Sequence, residues 1–117
     1  MRILITTVTA FLLVAEVAFA HAHLDHASPA AGSTVAQAPK EIVLTFTNEL
    51  EPAFSGAEVT SEKGDLQSGK ASVDGSNPAQ LRVPLKTLSA GTYKVNWHIM
   101  SVDTHRTEGN FTFRVGR

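Results

Sequence analysis

Five histidines and no cysteine set the chemistry open to this chain of 117 residues. Without thiols there is no disulfide, no thiolate zinc cluster, no cysteine nucleophile and no His₂Cys copper centre. Nitrogen and oxygen ligands remain. Two features concentrate them: the run His21, Ala22, His23, Leu24, Asp25, His26, and the triplet Asp103, Thr104, His105.

His21 matters because of what precedes it. Met1 and Arg2 make a short basic start, an apolar run extends from Ile3 to Ala15, and Ala18-Phe19-Ala20 supplies small residues three and one before a possible cut. This is the layout of a secretory signal peptide over residues 1–20. Arg2, Glu16 and interspersed threonines break the stretch of about 20 apolar residues that a membrane span needs. Cleavage after Ala20 makes His21 the first residue of a mature domain spanning residues 21–117. An N-terminal histidine chelates one metal through its α-amine and its ring Nδ1. The amine titrates near about 8 and imidazole near about 6.5, so a strongly binding ion can displace both protons at neutral pH.

Asp103 and His105 extend the set. In extended backbone, residues two apart point to the same side, so one carboxylate and one imidazole can reach the same ion. A plain polar turn with a solvated histidine gives the same sequence. Joined to an N-terminal His21, the pair completes an amine, two imidazoles and a carboxylate. That four-point set suits copper(II), which accepts tetragonal nitrogen and oxygen ligands and heads the divalent affinity order. His23 opens a second mode, in which residues 21–23 alone wrap copper(II) or nickel(II) in a plane through two deprotonated amides. His26, beside Asp25, reads as a surface residue and His98 as solvated on the outer face of a strand. Met100 is the only methionine after residue 20, so no thioether cluster for copper(I) exists.

The elements that must position these groups are short and of period two, the strand signature. Residues 41–47 place Ile42, Leu44 and Phe46 on one face. Residues 92–99 turn Tyr93, Val95, Trp97 and Ile99 inward and Lys94, Asn96 and His98 outward. Residues 110–115 repeat the pattern with Phe111, Phe113 and Val115. Weaker strand candidates cover residues 21–27, 57–61 and 81–84, the last limited by Pro84. Residues 61–80 read as a long irregular hairpin or loop, with Asp74–Gly75 and Asn77–Pro78 as turn signals. Residues 101–108 connect the two best strands. No helical period and no repeat appears after residue 20. The expectation is an all-β sandwich or barrel of about seven strands. Ten Lys and Arg against eleven Asp and Glu give a net charge of −1, with no electrostatic footprint for nucleic acid or an anionic membrane.

In this order and spacing the pieces resemble the CopC family of periplasmic copper-binding proteins. They are His21 to Leu24, Ser28 to Gly32, Leu44 to Phe46, Glu51 to Ser55, Ala90 to Trp97, Ser101 to His105 and Gly109 to Val115. The resemblance implies a cupredoxin-like or immunoglobulin-like Greek-key β-barrel that carries one copper(II) per chain in copper homeostasis or resistance. It implies His21, Asp103 and His105 as metal ligands, with the His21 amine completing the set. An inner-membrane copper importer or another periplasmic copper protein is the implied partner. Two departures stand out: residues 61–80 lack the methionines of a copper(I) loop, and Asn48 with Glu49 stands where some members place a glutamate. The chain therefore resembles the copper(II)-only type, and Asn48 and Glu49 stay outside the expected site. Two other readings remain at this point. One is a copper monooxygenase built on an N-terminal histidine chelate; the other is a metal-free immunoglobulin-like interaction module.

Overall fold

The computed structural model describes residues 22–116; the expected signal peptide and His21 lie outside the described residues. Eight strands form two four-stranded sheets. They are β1 (Leu24–Ser28), β2 (Thr34–Val35), β3 (Glu41–Phe46), β4 (Gly56–Ser61), β5 (Ser72–Asp74), β6 (Asn77–Pro84), β7 (Gly91–Met100) and β8 (Arg106–Val115). One sheet runs in the order β1-β3-β6-β5, the other β2-β8-β7-β4. A single 3₁₀ turn, Pro52–Phe54, is the only helical element among the described residues. Of the two architectures expected, the sandwich is the one observed.

The alternating residues fill the space between the sheets. Ile42, Leu44, Phe46, Leu81 and Val83 from one sheet meet Val59, Tyr93, Val95, Ile99 and Phe113 from the other, all buried. Burying such side chains drives the association of the two layers. Phe111 and Trp97 lie at the edge of this core, half-buried.

The structure corrects the sequence reading in three places. Residues 61–80, expected as one long irregular hairpin or loop, are more ordered than that: residues 62–71 cross between the sheets, and β5 then forms an antiparallel hairpin with β6. Asn77 and Pro78 do not form the turn but open β6, because the reversal falls at Gly75 and Ser76. There Asp74 Oδ1 accepts hydrogen bonds from Ser76 N at 3.0 Å and Ser76 Oγ at 3.1 Å, an Asx turn that fixes the chain reversal locally. The missing N–H of Pro78 costs nothing at a strand start where no ladder partner requires it. Finally, β8 begins at Arg106 rather than Asn110, so β7 and β8 form one long hairpin from Gly91 opposite Val115 to Met100 opposite Arg106.

That hairpin carries residues 101–105 at its tip, and Trp97 stiffens it. Trp97 faces Gly109 across the ladder, and its ring meets Phe46 edge-on at a centroid distance of 5.2 Å. The indole occupies the space where a side chain at position 109 would stand: a Cβ there would lie 2.5 Å from Cζ2 and 2.8 Å from Cε2. Gly109→Ala must therefore push the ring off Phe46, at an overpacking cost of about 1–3 kcal/mol. Denaturant unfolding followed by Trp97 fluorescence measures this. Gly75→Ala, whose Cβ would meet nothing within 4 Å, serves as the comparison and leaves the indole signal of the folded state unchanged.

Candidate metal centre

The hairpin tip is held from outside and from within. Outside, Glu51 N donates to Met100 O at 2.8 Å and Val102 N to Glu49 O at 3.1 Å, with Leu50 bridged to Ser101. Within, Ser101 N donates to His105 O at 2.9 Å and Thr104 N to Ser101 O at 2.8 Å. Thr104 takes φ of 71°, a left-handed conformation uncommon for a β-branched residue and held here by the surrounding hydrogen bonds.

This tight turn, not extended backbone, is what brings Asp103 and His105 together. His105 Nδ1 lies 3.3 Å from Asp103 Oδ1, with both side chains partly exposed. The spacing argument for the pair thus reached the right neighbours through the wrong geometry. Ser101, fully buried, donates its Oγ proton to the same Asp103 Oδ1. The hydroxyl foremost, and then the His105 ring, hold the Asp103 carboxyl below its ordinary value of 3.8, because each favours the charged form.

The segment that follows His21 arrives beside this tip. Ala22 is fully buried, and its carbonyl accepts a hydrogen bond from Thr107 Oγ1 of β8 at 2.9 Å. His23 N donates to Thr47 Oγ1 at 2.9 Å, while Thr47 N donates back to His23 O at 2.9 Å. Two threonines thus clamp the chain from opposite sheets, Thr47 just past β3 and Thr107 on β8. The side chain of His23 is exposed.

The other histidines separate from this cluster. His26 pairs with Asp25 at 3.0 Å on the exposed edge strand β1. His98 is exposed on the outer face of its sheet, its ring packed over Gly56. Among the described residues no three His, Cys, Asp or Glu side chains form a metal-holding group; Asp103 and His105 are a pair.

Sequence reasoning passed over the residues that build this end of the molecule: Ser101, Thr47, Thr107 and the backbone of residues 49–51. Ser101 stood in the open, two positions before Asp103. The threonines gave no signal, because their role is a contact with a distant stretch of chain. Asn48 falls in the same segment, where its Oδ1 accepts from Glu49 N at 2.8 Å, and Glu49 contributes its carbonyl to the loop.

Sequence and fold comparisons agree on the class. The CopC domain matches residues 24–116, and the chain belongs to the CopC family of copper-binding proteins. It is 44% identical over 105 residues to protein YobA of Escherichia coli strain K12, covering 88% of this chain and 85% of that protein. It is 41% identical over 118 residues to copper resistance protein C of Pseudomonas syringae pv. tomato, covering 95% of this chain and 93% of the relative. The crystal structure of CopC from Methylosinus trichosporium OB3b superposes with a TM-score of 0.78 at 33% identity, covering 82% of this chain and 94% of that one.

Because the Asp103 carboxyl is held low in the folded protein, its contribution to stability is complete above the ordinary aspartate range and is lost as pH falls through the lowered value. Asp103→Asn removes that term and makes the acid side of the stability profile shallower. Thermal unfolding of the metal-free protein at stepped pH checks this against Asp74→Asn, which removes the corresponding term of another lowered carboxyl, one held by Ser76 and Arg82.

Proposed function

We propose that this protein is a periplasmic copper(II) carrier and buffer. It begins at His21 once residues 1–20 are removed, and it binds one copper(II) through the His21 amine and ring, His105 and Asp103. The observation that carries this reading is the double clamp on Ala22 and His23 by Thr107 and Thr47. It anchors the residue covalently next to His21 beside the tip where Asp103 and His105 meet at 3.3 Å.

The donor chemistry fits the ion. Three nitrogens and one carboxylate oxygen match the tetragonal preference of copper(II), and the absence of soft ligands disfavours copper(I). Asp103 offsets part of the ion's charge. The bound ion is cargo: it is held in a form that resists reduction and is passed to an inner-membrane copper importer or another periplasmic copper protein. Affinity falls on acidification, since the amine and imidazoles then take up protons in competition with the metal.

The planar mode confined to residues 21–23 is less well supported. It requires the amide nitrogens of Ala22 and His23 as deprotonated ligands. Yet His23 N is engaged with Thr47 Oγ1 and Ala22 is fully buried. Wrapping the metal locally would break the His23 N anchor to Thr47. An oxygen-activating enzyme is also disfavoured: Asp103 takes up a coordination position that such chemistry needs open. Tyr93 is buried and Trp97 is packed against Phe46, so neither offers an aromatic substrate platform.

Single substitutions separate the two binding modes. His105→Ala should lower copper(II) affinity severely, while His23→Ala should change it little, as measured by competition with a calibrated chelator. The reverse ranking would favour the local tail mode and overturn the assembled site.

A further inference from the structure

We propose that Ser101 is a positioning residue that makes Asp103 a one-oxygen ligand and so keeps the copper(II) set at three nitrogens and one oxygen. This rests on the copper(II) reading above. A fully buried hydroxyl at the base of a polar turn needs a reason, and the backbone around it leaves that hydroxyl little freedom. Ser101 N is tied to His105 O at 2.9 Å, Ser101 O to Thr104 N at 2.8 Å, and the residue is bridged to Leu50. Its Oγ is therefore a fixed point.

From that point Oγ donates to Asp103 Oδ1. It also stands 3.3 Å from His105 O, but a hydroxyl has one proton, and the charged carboxylate is the stronger acceptor. His105 Nδ1 approaches the same Oδ1 at 3.3 Å. Both contacts thus converge on one oxygen. A carboxylate held in this way presents a single oxygen in a fixed direction, and its plane cannot turn to offer both. Hydrogen-bonding partners of this kind orient ligands and sharpen affinity. Without the hydroxyl, the carboxylate of Asp103 is free to rotate about its terminal bond, a broad and soft torsion.

The test uses the mature protein beginning at His21, loaded with one equivalent of copper(II). Ser101→Ala should lower copper(II) affinity by about 10–100-fold and alter the copper(II) electron paramagnetic resonance spectrum, because the oxygen donation changes. Ser101→Thr and Ser101→Val carry the same added bulk and differ only in the hydroxyl. Threonine should keep the wild-type spectrum and valine should lose it, which separates orientation from packing. If the alanine and valine proteins keep wild-type spectrum and affinity while only their thermal stability changes, the inference is overturned and the site reading stands. If the wild-type protein itself gives no spectrum of three nitrogens and one oxygen, the site reading falls and this inference falls with it.

Discussion

Everything at the hairpin-tip end of this protein depends on how the segment that follows His21 is tied down. Ala22 and His23 are held by Thr107 and Thr47, which come from opposite sheets of the sandwich. A chain terminus is ordinarily the least ordered part of a domain. Here three hydrogen bonds to the main chain of Ala22 and His23, two of them from or to threonine hydroxyls, and a fully buried alanine remove that freedom. Free energy that would otherwise be spent ordering a tail at binding is committed during folding, which is the general advantage of preorganisation.

The sandwich serves this arrangement from behind. The β7–β8 hairpin carries Asp103 and His105 at its tip, and its rigidity comes from Trp97, wedged between Phe46 and the bare backbone of Gly109. The tip is secured again by the backbone of Glu49 and Glu51, so the crossing from one sheet to the other also braces the loop that carries Asp103 and His105. Inside the tip, Ser101 and the left-handed Thr104 set the approach of Asp103 to His105. Stability and site geometry thus share residues, which suits a small domain without disulfides.

Much of this was legible before any coordinates. Strict alternation marked β3, β7 and β8, because each packs one face on the core and turns the other to solvent. The neighbouring of Asp103 and His105 was legible as residue types at close spacing. What alternation could not reveal were β2 and β5, of two and three residues, too short to establish a period. The left-handed turn at Thr104 was hidden because nothing about a threonine signals positive φ. The clamps were hidden for a different reason: Thr107 reaches a residue 85 positions away and Thr47 one 24 positions away. Such contacts are properties of the fold, written in no local stretch of sequence.

The most direct measurement compares copper(II) affinity for protein beginning at His21 with protein carrying one extra residue before it. The account predicts that the extension leaves the fold intact and lowers affinity by orders of magnitude, since it converts the chelating amine into an amide. Equal affinity in the two proteins would contradict the account, because the terminal nitrogen would then have no part in holding the ion.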